Sequence, residues 1–329
     1  MQEFIRKYIH FIVPIIGTVI FFGGIAVGKY AHQPAAIAAP VQRVLREGGY
    51  KYINPVLLCN TNTERDDNKD VALTGKLQSY IEQSKNKNIS VYFLNLGKSK
   101  WAGVGESQTY TPASMLKVPT MVAILKYIES HEELLSKEVL YKGDFDDNKA
   151  EFFQPKEAIQ PGHAYSVDQL LQYMVQNSDN NATRLLHEVI DERALANIYI
   201  NLGLQIPTAG ADFMSPKTYS LFLRLLYNST YLTRAMSEKA VELMVESNFS
   251  PGLRGGVPES VEVAQKFGER QMVTDDGTVT SRELHDCGII YSPTAPYILC
   301  VMSRGDDFDT LATQIREISQ LVYDQVNSN

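Results

Sequence analysis

Apolar residues recur along this chain with two different periods. Leu73, Leu77, Tyr80 and Ile81 fall at helical spacing, and so do Val118, Val122, Leu125 and Ile128. Val167, Leu170, Leu171, Met174 and Val175 make a further helical stripe, and Tyr219, Phe222, Leu223 and Leu226 another. The chain closes on Leu311, Ile315, Ile318, Val322 and Val326, one face of a long amphipathic helix. Between these stripes lie short apolar runs read as strands: Ser90 to Leu96, Val261 to Phe267, Cys287 to Tyr291 and Tyr297 to Met302. Trp101 to Gly105 reads as the hairpin partner of the first run, Tyr50 to Leu58 as a strand, and the polar stretch Asn60 to Asp70 as a loop. The order is helix, two strands, a block of helices, three strands, then helix. This predicts an α+β fold, a sheet-and-helix sandwich with an antiparallel sheet beside a helical subdomain. The first and last helices are expected to cover one sheet face together. A cleft between sheet and helical block is the natural place for a site.

The N-terminus departs from this pattern. Tyr8 to Gly28 is nearly all apolar, broken only by His10 and Thr18. At about 1.5 Å per residue such a run crosses a hydrocarbon core of about 30 Å. Arg6 and Lys7 precede it and favour an N-in, C-out orientation, a bias that Lys29 weakens. The run is read as an uncleaved anchor. A cleavable signal peptide competes, but its apolar core is normally shorter and Ala36-Ile37-Ala38 is only a passable cleavage site. Both readings put the rest of the chain outside the cytoplasm. The expected division is residues 1–29 as transmembrane anchor or uncleaved signal, 30–70 as linker and pre-domain segment with a small-residue and proline stretch from Gln33 to Pro40, and 71–329 as the main domain.

Composition narrows the choices. The 329 residues are 44% hydrophobic and 21% charged with a net charge of −7, an ordinary globular balance. No block of Lys and Arg points to a phosphate-tracking surface, so nucleic acid is not an expected partner. Three cysteines, Cys59, Cys287 and Cys300, form no C-x-x-C pair, and six histidines are scattered. Neither a metal site nor a cofactor has sequence support. Cys287 and Cys300 lie on adjacent strand-like runs, facing each other or opposite sheet faces, and are read as buried free thiols.

Three short motifs stand in order: Ser114-Met115-Leu116-Lys117, Ser178-Asp179-Asn180 and Lys266-Phe267-Gly268. A second S-x-x-K, Ser84-Lys85-Asn86-Lys87, sits in a polar stretch and reads as solvated surface. Ser114 differs, because it follows the turn-like Thr111-Pro112-Ala113 and opens an apolar helix. A spacing of three puts Ser114 and Lys117 on one helical face, so both can point into one cleft. A serine hydroxyl needs a base, and neutral lysine serves if burial or a second cation lowers its usual pKa of about 10.4. Lys266 is the candidate second cation. A helix N-terminus at Ser114 also aims N–H groups at a developing oxyanion.

This ordered set resembles the S-x-x-K, S-D-N and K-T-G motifs of class A β-lactamases and their penicillin-binding relatives. Met115 to Pro119, Ser166 to Asn181, Asp212-Phe213-Met214-Ser215-Pro216 and Asp286-Cys287-Gly288 extend the resemblance over most of Val71 to Asn329. It implies the β-lactamase/D,D-peptidase fold, with Ser114 as nucleophile and Lys117 as its general base. Ser178 would relay a proton to the leaving nitrogen, and Lys266 would support Ser178 and attract the substrate carboxylate. Asn180 would bind the acyl side-chain amide. Backbone N–H groups of Ser114 and Glu269, the latter just past Gly268, would form the oxyanion hole, and Asp179 would be structural.

Two departures qualify the resemblance. Phe267 stands where the family has Thr or Ser, whose hydroxyl helps hold the substrate carboxylate; the ring is expected to wall a different ligand. The deacylating glutamate of the omega loop is also missing, since Arg193 to Ala211 contains no acid and Asp191 and Glu192 fit a helix start. The resemblance therefore implies a serine hydrolase that forms an acyl-enzyme with β-lactam or peptidoglycan-peptide substrates and deacylates slowly. A cell-wall D,D-peptidase or transpeptidase and a non-catalytic wall-sensing module are the alternatives.

Overall fold

A computed structural model describes residues 48–55, 68–208 and 210–328. The apolar run 8–28, the proline stretch 33–40, most of the loop 60–70 and Cys59 lie outside the described residues. Among the described residues no helix is long and apolar enough to cross a membrane.

Helix α1 (Val71–Gln83) starts where the Asp70 carboxylate accepts the Leu73 N–H, and it buries Leu73, Leu77 and Ile81. The hairpin β1 (Ile89–Asn95) and β2 (Trp101–Val104) follows, antiparallel as expected. Then come α2 (Lys117–Ile128), α3 (Val167–Gln176), α4 (Asn180–Val189), α5 (Glu192–Asn201), α6 (Pro216–Tyr227) and α7 (Arg234–Val245). Strands β5 (Val263–Val273), β6 (Val279–Ile290) and β7 (Tyr297–Gly305) and helix α8 (Phe308–Asn327) complete the order. A two-stranded sheet of β3 (Glu138–Tyr141) and β4 (His163–Ser166), which the pattern did not signal, lies between α2 and α3.

The main sheet runs β2-β1-β7-β6-β5, every pair antiparallel. Alternation along the strands divides the core in two. Tyr92, Leu94, Ile289, Ile298 and Met302 pack against the helical block. Val91, Phe93, Leu284, Leu299 and Val301 pack in a second cluster with Leu77 and Ile81 of α1 and Ile315 and Ile318 of α8. The terminal helices thus share one sheet face. Strand β5 is an edge, so one row of its peptide groups has no strand partner.

Two expectations are corrected. Residues 50–55, at the start of the predicted strand Tyr50 to Leu58, are not strand. The N–H groups of Lys51, Tyr52 and Ile53 go instead to the buried Glu238 carboxylate on α7, which takes the place of a ladder. Cys287 and Cys300 are not free thiols: the β6–β7 register sets them directly opposite each other and their sulfurs are bonded.

Candidate active site

Ser114 lies in a 3₁₀ turn, Ala113–Leu116, that runs straight on into α2. The turn is held by its neighbours rather than by local preference. Ala113 has φ +49°, a left-handed conformation costly for a residue with a Cβ. Met115 is fully buried, and its carbonyl accepts the Tyr219 hydroxyl at 3.1 Å. From the other side Gly268 of β5 presses on the turn. A Cβ at Gly268 would lie 2.5 Å from the Pro112 carbonyl oxygen and 3.0 Å from the Met115 nitrogen. Only bare backbone lets the strand approach so closely.

The Ser178-Asp179-Asn180 turn enters the site from the helical block. Asp179 is fully buried and caps α4, accepting the Asn181 and Ala182 N–H groups at 2.8 and 3.1 Å. It also accepts Ile159 N–H at 2.8 Å and Asn148 Nδ2 at 2.9 Å. Its carboxylate is wholly spent on shaping the turn, the structural role expected for it. Ser178, at φ +59°, and Asn180 are thereby turned toward Lys117.

Lys117, 4% exposed, donates to the Ser178 carbonyl at 2.6 Å, to Ser178 Oγ at 3.1 Å and to Asn180 Oδ1 at 2.6 Å. Lys266, fully buried on β5, donates to the same Ser178 Oγ at 2.9 Å and to the Phe267 carbonyl at 3.1 Å. One hydroxyl therefore sits between two lysine nitrogens. Burial lowers Lys117 to about 8, against the opposing pull of Glu151, Asp179 and Glu269. Burial, then the charge of Lys117, holds Lys266 well below the ordinary lysine value.

A cavity of about 780 Å³ opens over this cluster, lined by Ser114, Lys117, Asn180 and Glu269. Leu195, Ala196, Tyr199, Ile206 and Pro207 give it an apolar side. Ser114 and Lys117 thus reach one cavity, as their spacing requires. Among the described hydrogen bonds, those of Lys117 Nζ all go to the Ser178-Asn180 turn and none to Ser114.

The remaining predicted residues divide. Phe267 does not line this cavity; its ring stacks 4.0 Å from Phe249 and meets Phe153 edge-on, in the second core cluster. The ring walls a smaller neighbouring space of about 310 Å³. Glu269, expected to act through its backbone, brings its side chain to the main cavity. There it meets Glu151, and burial and this second acid push it up to about 8. Glu151 and Asn148, both missed in the sequence, belong to a polar segment without periodicity. Asn148 accepts the Asn180 N–H at 2.7 Å, and Glu151 accepts Asn180 Nδ2 at 2.6 Å.

The second S-x-x-K behaves as surface: Lys85 and Lys87 are exposed, and Ser84 Oγ bonds the Tyr80 carbonyl at 2.8 Å. Asp212 accepts Thr111 Oγ1 at 2.7 Å and pairs with Arg304 at 2.6 Å, while Ser215 caps α6. Asp191 caps α5 and Glu192 occupies its first turn, as expected, but Glu192 also lines the cavity. Among the described residues no group of His, Cys, Asp and Glu side chains is placed to hold a metal ion.

Comparison with known proteins agrees with this architecture. The chain is 21% identical over 249 residues to a beta-lactamase of Streptomyces albus G, covering 70% of this chain and 76% of that protein. A PBP-A variant, solved as an acyl-enzyme complex with penicillin G, superposes with a TM-score of 0.66 at 20% identity over 79% of this chain and 98% of that one. A class A beta-lactamase from Bacteroides cellulosilyticus superposes with a TM-score of 0.65 at 19% identity over 78% and 98% of the two chains. At these identities the structural likeness is one of fold. Residues 72–326 match the model of the beta-lactamase enzyme family, and with that match this chain belongs to the family and is a serine hydrolase.

Proposed function

We propose that this chain is a membrane-anchored, extracytoplasmic acyl-transfer enzyme that forms a covalent acyl-serine at Ser114. Ser114 Oγ attacks a carbonyl carbon and its proton passes to Lys117 Nζ, which must arrive neutral and give up one of its present hydrogen bonds. The carbon–nitrogen bond to the leaving group breaks, and Ser178 hands that nitrogen a proton and is reprotonated from Lys117. Backbone N–H groups of Ser114 and Glu269 face the oxyanion. Water then cleaves the acyl ester and restores Ser114.

The observation that carries this reading is the Ser178 hydroxyl held by two buried lysines, at 3.1 and 2.9 Å, one of which, Lys117, lines the same cavity as Ser114. Burying two amines costs stability and serves no packing need, whereas lowering their proton affinity makes one of them a usable base at neutral pH. The substrates would be β-lactams or acyl-D-alanine peptides. Slow deacylation is supported by the lack of any carboxylate from Arg193 to Ala211; this also keeps a D,D-peptidase role open. An extracytoplasmic location is supported by the apolar run Tyr8 to Gly28 and by the Cys287–Cys300 bond, which persists in oxidising compartments.

The test is intact mass after incubation with excess penicillin, and separately with a small uncharged fluorophosphonate. An adduct that maps to Ser114 and is absent in Ser114→Ala is expected. No adduct from either reagent overturns the reading.

A further inference from the structure

The acyl-serine reading has a corollary for the leaving side of the substrate. By resemblance, a substrate carboxylate should meet a hydroxyl at position 267 and the ammonium of Lys266. The Phe267 ring lies 4.2 Å from Lys266 Nζ and stacks on Phe249, and Lys266 is fully buried. Lys266 spends its ammonium on Ser178 Oγ and the Phe267 carbonyl and is not part of the cavity lining.

Glu269 is the next residue on the same face of β5 as Phe267. It is 7% exposed, and its Oε1 accepts the Phe153 N–H at 2.9 Å. Its Oε2 is buried with no donor. The neighbouring group is the Glu151 carboxyl, already accepting Asn180 Nδ2 at 2.6 Å. Two carboxyl groups present only acceptors to each other until one is protonated, so the pair shares a proton and keeps a negative charge. Lys117 spends its hydrogen bonds on the Ser178-Asn180 turn. Glu192 and Arg193, elsewhere in the lining, bring one charge of each sign.

We infer that Glu269 and Glu151 receive a hydrogen-bond donor on the leaving part of the substrate, so that the enzyme favours carboxamide- or amine-bearing leaving groups over carboxylates. A donor meets the negative charge that the pair keeps, whereas a carboxylate there faces like charge and finds no hydroxyl at position 267. The acyl arm extends along the apolar side formed by Leu195, Ala196, Tyr199 and Ile206. The acyl transfer itself is unchanged; only the recognised group differs.

The experiment uses the full chain and the rate at which an uncharged fluorophosphonate labels Ser114. Two competitors are compared, an acyl-D-alanyl-D-alanine with a free terminal carboxylate and the same peptide ending in a carboxamide. The carboxamide is expected to protect Ser114 at about a tenfold lower concentration or better. Glu269→Gln, which replaces an acceptor by a donor, should abolish or reverse that preference. Glu151→Gln should weaken it and serves if the buried variant fails to fold. Equal protection by both peptides, protection by neither, or an unchanged preference in both variants overturns the inference while leaving the acyl-serine reading intact. Failure of both the fluorophosphonate and penicillin to label Ser114 overturns both.

Discussion

The side-chain amide of Asn180 donates to Glu151 at 2.6 Å. This bond straps the segment carrying Asn148, Glu151 and Phe153 onto the turn that supplies Ser178, and it sets an acid close to Lys117. That acid opposes the effect of burial, raising the proton affinity that burial has lowered to about 8.

A pH profile follows from this pairing. Attack needs neutral Lys117, so labelling of Ser114 should rise with pH through a limb near 8. Glu151→Gln keeps an acceptor for Asn180 but removes the charge, so the limb should move to lower pH. At about pH 6.5 the variant should label roughly threefold faster than the parent. Rates measured from about pH 5.5 to 9.5 with an uncharged reagent read this directly. A limb that stays in place would contradict the role given to Lys117.

Ser178 is testable without disturbing the backbone. Its φ of +59° suits glycine, so Ser178→Gly removes the hydroxyl while relieving the conformation. Acylation by an amide or lactam should fall by about 10²-fold or more, because the leaving nitrogen loses its proton source. Labelling by a fluorophosphonate, whose fluoride needs no such proton, should fall much less. Equal losses with both reagents would make Ser178 a structural residue only.

Much of this arrangement was legible in the sequence, for reasons particular residues make plain. The stripes on α1 and α8 show because each buries one face against the main sheet, that on α3 because it buries one face against α2, α4 and α7, and the three motifs show because their spacings are short. The strand expected from Tyr50 failed because Glu238, 185 residues away from Ile53, binds its N–H groups, and nothing local announces that partner. The Cys287–Cys300 bond depends on β6–β7 register, which hydrophobicity does not specify when both faces are buried. Strands β3 and β4 are four residues each and mostly exposed or half-buried, too short for a period to register. Glu151 was invisible because its role comes from where a polar loop folds back, and the Glu269 side chain because its partners, the Phe153 N–H and the Glu151 carboxyl, lie on that same loop.

Gly268 tests how closely β5 must approach the Ser114 turn. Gly268→Ala puts a methyl group 2.5 Å from the Pro112 carbonyl oxygen, and backbone cannot yield as a side chain would. Strand or turn must shift, at about 1–3 kcal/mol in stability. Because the Glu269 N–H moves with the strand, acylation should drop by about tenfold or more even where the variant stays folded. Thermal unfolding and labelling measured together separate the two effects, and full activity at reduced stability would remove Glu269 from the oxyanion site.

The buried acids also set how stability varies with pH. Asp286 is fully buried; its Oδ2 accepts the Leu253 N–H at 2.9 Å while its Oδ1 has no donor. Burial pushes it from 3.8 to about 7, and Glu269 is pushed from 4.5 to about 8. Both carboxyls stay protonated in the folded chain over a range where the unfolded chain has released the proton. Between the ordinary values and pH 7 to 8 the folded state binds more protons, so stability should fall as pH rises. For Asp286 the loss is on the order of 4 kcal/mol. Lys117 has the opposite sign. Its proton affinity is lowered by burial from 10.5 to about 8, so above pH 8 the unfolded state binds the extra proton and stability recovers toward pH 10.5. The expected result is a minimum in the urea midpoint near pH 8, shallower in Glu269→Gln and in Asp286→Asn. A midpoint that rises steadily from about pH 5 to 8 would mean these carboxyls are ionised in the fold, and the shared proton between Glu151 and Glu269 would go with them.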